Sequence, residues 1–536
     1  MGTERGAIRC DGRTITAVVI GLAVACGGSA QAELAGTDAV DALADLIGSD
    51  PLVCASLIVE VTGSDPSTLL EGLTPGEATE LLELIADLSG DSINAEAAHA
   101  AVGWATGEMR DTARLMEEYI PDHLYYGASI TGVVYPTADW ELGTVVSKDS
   151  LAHSAIWAGH YLASVSFRYA LAKKHRDTTK NYGQSVVWQK EMDRALARVH
   201  EMVPAFHRLI NISKNWSSAT VPGEPGLLFR HAVPEQFNRS DTWPLPWDDG
   251  QIYWCRASVT RDIYAGVMLG LMVTFDQVGP DDAYVRNTIR DDVMILTDYL
   301  VRHGWWVVQP QSSTTNSNPS PNPLFVLNPA HRLSMAQAAR HVARVAGTAA
   351  DQAKWEAVWA AELAEVGAPH LLTSRASTSN DSYYSNNLEY LCHYNVVSRE
   401  PNRATRAFLL QAFAQLDDGA RLHMNAHFDA MAYGLRGQPD RLPEGVLHLK
   451  QWIEYRSRWG QPVVNSARCG VDIQCSGGYA VDPLPIPDRP HSDFLWQRSP
   501  WKLDGGYNPL QREPGVDFLL PYYMLRYYTE VAPPTP

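Results

Sequence analysis

The sequence lacks the short motifs that mark the commonest enzyme classes. Its 536 residues contain no GxSxG nucleophile elbow, no P-loop, no HExxH zinc motif and no GxGxxG dinucleotide motif. No serine is therefore marked as a nucleophile. The chemistry of the chain has to be inferred from individual residues and their spacing.

Basic residues are also scarce. Lys and Arg number 43 against 61 Asp and Glu, which gives a formal net charge of −18. Because binding to nucleic-acid phosphates needs a basic surface, this balance argues against nucleic acid as a partner. It also argues against a general attraction to acidic polymers, although a local basic cleft is compatible with it.

Cysteine is rare, with 7 in the chain, and no CxxC pair or Cys/His array predicts a structural zinc site. Cys469 and Cys475 bracket a short glycine-containing loop, which predicts a disulfide of an exported protein. Cys10 and Cys26 belong to the N-terminal signal region, and Cys54, Cys255 and Cys392 remain. The sequence leaves open whether Cys255 and Cys392 form a second bridge.

One long apolar run is present near the N-terminus. Residues 15–25 follow a basic segment and precede an Ala-Gln-Ala step, which is the pattern of a secretory signal peptide. The run is too short for a membrane-spanning helix. We predict a signal peptide at 1–32 and an exported protein that is periplasmic, anchored to the outer membrane or extracellular. The alternative is a lipoprotein signal that ends at Ala25, with a lipid anchor at Cys26.

Two regions of different composition follow. Residues 33–118 are rich in Ala, Leu, Asp and Glu, which predicts a small helical segment or spacer. In residues 119–536, apolar residues recur at steps of three and four. The predicted helices span 149–174, 185–212, 258–278, 283–303, 333–346, 350–366, 386–398, 402–417, 421–434, 446–457 and 515–529. We predict a mainly α-helical protein whose antiparallel hairpins close into a ring, with a large irregular bundle as the alternative.

The first helix of this set has an unusual polar face. Its apolar residues form one stripe, and the opposite face carries Asp149, His153 and Trp157. A surface helix normally points Lys and Glu outward, so His and Trp in these positions predict the lining of a cavity. Packing of the rings against a neighbouring helix is the alternative.

A second helix begins just after a predicted aromatic loop that includes Trp254. Arg261 and Asp262 fall in its first turn, where the helix dipole stabilises a carboxylate. At the mouth of a cavity the same carboxylate can protonate a leaving oxygen or position water. Asp262 is therefore a candidate acid, and Asp248 and Asp249 in the preceding loop compete with it.

A third helix start, NNLEYLCHY, gathers two amides, a carboxylate, an imidazole and two phenols. The candidate residues are Asn386, Asn387, Glu389, Tyr390, His393 and Tyr394. Asn, His and Tyr that converge on a substrate suit β-elimination on a uronate, whereas Glu389 paired with a second carboxylate suits hydrolysis. The alternative is that Asn386 caps the helix while Glu389 and His393 form a structural pair.

Two later segments supply further candidates. His423 and His427 lie four residues apart on the predicted helix 421–434, and without a third ligand we predict cavity lining and no metal site. The loop RPHSDFLWQRSPW contains Trp496 and Arg498, and its rings suit stacking on the flat apolar face of a sugar. Alternatively, its tryptophans wedge the last helix in place.

These features resemble the secreted (α/α)-toroid, or six-hairpin, carbohydrate-active enzymes over residues 119–530. The residues that carry the resemblance are Trp157, the segment from Trp254 to Asp262, and the pair Asn386 and Asn387. The NNLEY step is similar in type to the Asn-Asn-His helix starts of toroid alginate lyases, with Leu388 in the place of the His. Since toroid glycosidases often invert, the resemblance implies two carboxyl groups roughly 6.5–9.5 Å apart.

We therefore predict a secreted polysaccharide-active enzyme, a glycoside hydrolase with Asp262 as the acid and Glu389 or Asp149 as its partner. A polysaccharide lyase that uses the Asn, His and Tyr of NNLEYLCHY is one alternative, and a non-catalytic glycan-binding lipoprotein is another. Hydrolysis is preferred because the chain is acidic and its aromatic loops suit neutral sugars. No cofactor is predicted. The predicted substrate-binding residues are Trp157, His153, Arg261, Trp254, Asn387, Tyr394, His427, Trp496 and Arg498.

Overall fold

The computed structural model describes most of the chain from residue 107 onward. The described residues are 107–125, 127–130, 133–134, 147–148, 153–216, 223–234, 242–256, 259–309, 322–371, 376, 383–457, 462–490, 494–505 and 510–534. The chain divides into two compact units, Met1–Asp111 and Thr112–Pro536. Outside the described residues lie the predicted signal peptide, most of the predicted 33–118 segment, Cys26, Cys54 and Asp149.

The described part of the chain is mainly α-helical, as predicted, and contains twelve helices. They are α1 Gly107–His123, α2 Ser154–Thr178, α3 Tyr182–Asn211, α4 Arg261–Gln277, α5 Ala283–Arg302, α6 Pro329–Ala346, α7 Ala349–Leu371, α8 Tyr384–Ser398, α9 Arg403–Ala420, α10 Ala426–Arg436, α11 Arg441–Ser457 and α12 Val516–Glu530. Each segment predicted as helical overlaps one of α2 to α12. The apolar spacing thus located these helices because their apolar residues are the ones that are buried.

The start of α8 differs from its prediction. The residue before the helix is Tyr383, which makes no side-chain capping bond. The backbone N–H of Asn386 already donates to the Tyr383 carbonyl at 3.0 Å, so Asn386 lies inside the first turn. Its side chain is buried, and the predicted role of Asn386 as the helix cap is wrong.

The start of α10 also differs. Met424 adopts a left-handed backbone with φ of 48°, a conformation that does not continue an α-helix. The helix begins two residues later, with Asn425 as its cap. His423 therefore lies outside α10, and the predicted four-residue spacing of His423 and His427 on one helix face is lost.

Alternate helices pack on one another in order. In the series α2, α4, α6, α8, α10 and α12, each helix packs on the next, and α12 packs on α2. The intervening helices α3, α5, α7, α9 and α11 each pack on one or more of these six. Contacts between their first residues, such as His153 with Asp262, Asn328 with Glu389 and Asn387 with His427, bring the starts of these helices together at one end of the bundle.

The alternate helices are buried more completely than their neighbours. In α2 the residues from Ser154 to Phe167 are all buried, and in α4 those from Ile263 to Phe275 are. Ser166 in this core is paired, since its hydroxyl donates to the Leu162 carbonyl at 2.8 Å. Of the helices in the described residues, none combines the length and the apolar character that crossing a membrane needs.

Glycines allow α2 and α4 to approach closely. A Cβ atom at Gly159 of α2 would lie 1.9 Å from the carbonyl oxygen of Gly266 in α4. A Cβ at Gly270, one turn later in α4, would lie 2.7 Å from the carbonyl oxygen of Gly159. The two backbones are thus in contact, and this contact fixes the relative positions of His153 and Asp262 at the helix starts.

Short antiparallel strands connect the helices. They are β1 Leu124–Tyr125, β2 Ser129–Ile130, β3 Val133–Val134, β4 Ser147–Lys148, β5 His231–Val233, β6 Thr242–Pro246, β7 Ile252–Arg256, β8 Trp306–Gln309, β9 Asn322–Val326, β10 Val463–Val464, β11 Cys475–Ser476, β12 Tyr479–Ala480, β13 Asp504–Gly505 and β14 Gln511–Arg512. In the sheet ordered β5-β7-β6, Cys255 pairs with Ala232 and Trp243. The predicted aromatic loop is therefore largely β-sheet, and Trp254 is half-buried on β7.

The structure confirms one of the two cysteine pairs considered from the sequence. Cys469 and Cys475 form a disulfide with an S–S distance of 2.04 Å, which confirms the predicted pair. Cys255 and Cys392 are both buried free thiols, so these two residues do not form a bridge with each other.

Candidate functional site

Polar side chains meet where the six alternate helices begin, which we call the N-terminal end. They come from the first turns of these helices or from the residues just before them. The contacts that join the helix starts are His153 with Asp262, Asn328 with Glu389, Asn387 with both His160 and His427, and Asp517 with Leu495. Most of these residues were candidates from the sequence; Asn328 and Asp517 were not.

Asp262 pairs with His153 across α2 and α4. The Oδ2 atom of Asp262 lies 3.2 Å from Nδ1 of His153, and the two side chains are 13% and 37% exposed. Burial raises the pKa of Asp262, but the neighbouring His153 and Thr260 side chains outweigh it and hold that pKa below its ordinary value. Asp262 is therefore ionised at neutral pH, in a position that the N-terminal dipole of α4 also favours.

Asn328 links a histidine to the second candidate carboxylate. It caps α6, and its Oδ1 accepts from the backbone N–H of His331 at 2.9 Å. The same oxygen lies 2.5 Å from Nδ1 of His331. The Nδ2 group of Asn328 donates to Oε1 of Glu389 at 3.1 Å. Since Oδ1 can only accept, Nδ1 of His331 carries the proton of a neutral ring.

His331 is the element that relates Asp262 to Glu389. Its ring is fully buried, and burial together with the nearby charge of Arg261 lowers its pKa to about 4, against an opposing effect of Asp262. The ring is thus near Asp262 at the start of α4, and its Nδ1 contacts Asn328, which in turn contacts Glu389. We call this pair of residues the His331–Asn328 link.

A second group of buried polar residues lies beside the first. Nδ1 of His160 donates to the Ile156 carbonyl at 2.7 Å, so the neutral ring leaves Nε2 as an acceptor. The Nδ2 group of Asn387 points at this Nε2 at 3.4 Å. Oδ1 of Asn387 in turn accepts from Nε2 of His427 at 2.8 Å. We call these three residues the imidazole–amide chain.

The imidazole–amide chain ends on an acceptor. Because Nε2 of His427 donates to Asn387, its Nδ1 carries a lone pair, and that atom has no hydrogen-bond partner within the described residues. Burial lowers the pKa of His160 to about 4 and that of His427 well below its ordinary value. Both rings are therefore neutral at physiological pH. A buried acceptor without a donor costs about 1–3 kcal/mol.

An aromatic wall adjoins this chain. Trp496 stacks on His160 with ring centroids 4.6 Å apart, and Phe494 stacks on Trp496 at 5.0 Å. Trp157 meets Phe494 edge to face at 4.8 Å, and His153 follows at 6.0 Å from Trp157. The wall thus runs from the partly exposed His153 to the fully buried Trp496.

Neither a metal nor a known relative assigns a chemistry to this site. In the part of the chain that the structure describes, no group of three or more His, Cys, Asp or Glu residues could hold a metal ion. No family model, curated protein or solved structure matches the chain. The chemistry therefore has to follow from the side chains and their contacts.

Several predicted residues have other surroundings. The hydroxyl of Tyr390 donates to Asp417 at 2.9 Å, and His393 packs beside Phe413 with ring centroids 5.8 Å apart. Glu389 contacts Asn328, and no contact joins it to His393 among those described. Arg498 is exposed. The structure thus brings Glu389 and Asn387 to the site, whereas Tyr390 and His393 on the same helix contact other residues.

Tyr394 lies at the opposite end of the bundle. Its hydroxyl is 2.7 Å from that of Tyr528, near the end of α12. Both line a cavity of about 250 Å³ that also includes Asp276 and Arg399, an ion pair at 2.7 Å. This cavity is formed by the last turns of the alternate helices, so Tyr394 is remote from the N-terminal end.

The sequence analysis missed Asp517, the second residue of α12. Its Oδ2 accepts from Nε1 of Trp452 at 3.0 Å and from the backbone N–H of Leu495 at 3.2 Å. Asp517 therefore holds in place the loop that carries Phe494 and Trp496. Burial raises its pKa to about 6. The signal in the sequence was an acid inside the apolar run VDFLL.

The Asp517→Asn variant should change how stability depends on pH. The raised pKa means that wild type loses stability as pH rises from about 4 through about 6, when the buried carboxyl ionises. Asn keeps an oxygen acceptor and does not ionise. We expect the free energy of unfolding of the variant, relative to that of wild type, to increase by about 2–3 kcal/mol from pH 4 to pH 7. Urea unfolding at both pH values measures this, and a difference that stays constant with pH would contradict it.

Proposed function

We propose that α2, α4, α6, α8, α10 and α12 form the inner ring of an (α/α) toroid, with the intervening helices outside them. The order of packing supports this arrangement, since each inner helix contacts the next and α12 contacts α2. The shared N-terminal end supports it further, because side chains from every inner helix meet there.

We propose that the N-terminal end hydrolyses a glycosidic bond in a polysaccharide. The observation that carries this proposal is the set of contacts that connects Asp262 and Glu389 through His331 and Asn328, beside an aromatic wall. Glycoside hydrolysis needs two carboxyl groups in different environments, one to donate a proton and one to act on water or on the sugar. Aromatic rings beside them suit the apolar face of a sugar.

The environments favour one assignment of roles. The pKa of Asp262 is lowered, so it is ionised and suited to activate water. Glu389 then serves as the proton donor, with Asn328 orienting its carboxyl group. This reverses the roles expected from the sequence, in which Asp262 was the acid.

Elimination has less support from these contacts. The lyase hypothesis needs a tyrosine or histidine to remove a proton and a group that neutralises a uronate. Tyr390 is engaged by Asp417, and Tyr394 lies at the opposite end of the bundle. His160 and His427 are neutral because burial lowers their pKa values, so they carry no charge that neutralises a carboxylate.

A substrate screen tests hydrolysis directly. The protein without residues 1–32 is incubated with a panel of neutral and uronate polysaccharides, and new reducing ends are recorded together with the ultraviolet absorbance of unsaturated uronates. We expect new reducing ends without absorbance. Both signals together would establish elimination instead, and silence across the panel would favour a glycan-binding protein.

A further inference from the structure

We propose that His427 and Trp496 form a subsite for an uncharged sugar hydroxyl, which donates to Nδ1 of His427 and accepts from Nε1 of Trp496. This inference rests on the proposed function and specifies its substrate class. It assigns the imidazole–amide chain to the recognition of a neutral sugar at this position and excludes a uronate carboxylate there.

The first argument is the direction of the imidazole–amide chain. Its first hydrogen bond goes to the Ile156 carbonyl, which can only accept, and this fixes which atom donates and which accepts in every later bond. The hydrogen bonds of the imidazole–amide chain therefore leave a lone pair on Nδ1 of His427, whose side chain is fully buried. Since buried acceptors are nearly always paired, this atom marks a position where a donor binds.

The second argument is an unused donor next to this acceptor. Nε1 of Trp496 is buried and has no hydrogen-bond partner in the described ranges. The rings of Trp496 and His427 have their centroids 4.8 Å apart. A hydroxyl group can donate and accept at the same time, so a single sugar hydroxyl satisfies both atoms.

The third argument is the absence of positive charge. Among the contacts of the described residues, no Lys or Arg forms a hydrogen bond, an ion pair or a ring contact with His160, Asn387 or His427. Both histidines are neutral, as their lowered pKa values require. A carboxylate at this position would face the lone pair of His427 with no cation to compensate it.

The aromatic wall provides the approach to this subsite. It extends from His153, whose side chain is 37% exposed, through Trp157 and Phe494 to Trp496. The subsite would thus hold one hydroxyl of the same substrate whose glycosidic bond faces the carboxylates.

The test compares Trp496→Phe with wild type. Phenylalanine keeps an aromatic ring beside His160 and removes the N–H donor together with part of the indole. Binding of neutral hexasaccharides (cello-, xylo- and manno-oligosaccharides) and of a galacturonate hexasaccharide is measured by calorimetry. We expect wild type to bind a neutral hexasaccharide in preference to the uronate, and the variant to bind it about tenfold more weakly. Trp188→Phe is the matched control, since Trp188 stacks on His175 in another part of the bundle.

A stability measurement separates a binding role from a structural one. Because Nε1 of Trp496 is unpaired in the free protein, Trp496→Phe should lower the thermal midpoint only by the few degrees that a smaller buried ring costs. A clearly larger drop would show that the N–H is already paired, for example to a buried water, and would overturn the subsite.

The outcomes for the subsite and for hydrolysis differ. Tight binding of the uronate, unchanged affinity of Trp496→Phe, or no binding of any hexasaccharide would overturn the subsite. Binding with the expected pattern but without new reducing ends would uphold the subsite and refute hydrolysis. Turnover with a Trp496→Phe variant of unchanged affinity would refute the subsite alone.

Discussion

Replacing Asp262 by asparagine is expected to lower the rate of polysaccharide hydrolysis by about 10²–10⁴-fold while the protein stays folded, because positioned acid–base groups contribute rate factors of this size. Asn cannot take a proton from water, yet it has the same shape and can still contact His153. Glu389→Gln should cause a loss of similar size. The rate is measured as reducing ends released from the active polysaccharide of the panel, and folding is checked by circular dichroism.

The pH profile sharpens this prediction. Asp262 must be ionised to act as the base, and its pKa is held below the ordinary value. Activity should therefore fall on the acid side only below about pH 4, the ordinary range of an aspartate. An acid limb near neutrality would show that Asp262 is not the base.

Asp248→Asn is the control for Asp262→Asn. Asp248 is exposed, and its carboxylate pairs with Lys214 at 2.7 Å. It was a competing candidate in the sequence, so the two variants decide between the two acids. Equal losses in both, or a loss in Asp248→Asn alone, would remove Asp262 from the proposed mechanism.

Replacing Gly159 by alanine is expected to destabilise the protein by about 3 kcal/mol or more, the upper part of the range for overpacked cores. The new Cβ atom would lie 1.9 Å from the Gly266 carbonyl oxygen, and both partners are backbone atoms of buried helices. No side chain can move aside, so α2 and α4 would have to separate. Urea unfolding monitored by tryptophan fluorescence gives the change in free energy.

Gly183→Ala supplies a control of opposite sign. Gly183 is exposed in the first turn of α3, and the nearest atom to a Cβ there is Oδ1 of the capping residue Asn181, at 3.3 Å. Alanine favours the helix over glycine by up to about 1 kcal/mol. We expect this variant to be slightly more stable than wild type. A Gly159→Ala variant as stable as Gly183→Ala would show that the helices do not touch as described.

The sequence predicted the helices better than their starts. Apolar spacing located α2 to α12 because burial of one face is repeated along each helix. The apolar spacing predicts the start of α6 at 333, whereas the helix begins at Pro329 after the cap Asn328, a sequence that is itself a strong start signal. Asn328 and His331, which relate Asp262 to Glu389, lie in the part of the helix that apolar spacing does not reach.

The candidate site was predicted residue by residue but not as an arrangement. Asp262, Glu389, Asn387, His427 and Trp496 were all named from the sequence, and each lies on a different element or turn. Their contacts depend on which faces of the helices pack together, and local spacing carries no information about this. Tyr390 shows the limit, since its position on α8 was right while its hydroxyl is held by Asp417.

The contact between α12 and α2 has a consequence for how the chain is made. His175 and Glu530 lie 2.5 Å apart across a separation of 355 residues, and Phe167 packs on Tyr527 with ring centroids 4.9 Å apart. During synthesis, the apolar surface of α2 that packs on α12 therefore stays exposed until α12 has been translated. Such exposed surface favours aggregation of the nascent chain. A chaperone that shields α2 over this interval would raise the yield of folded protein.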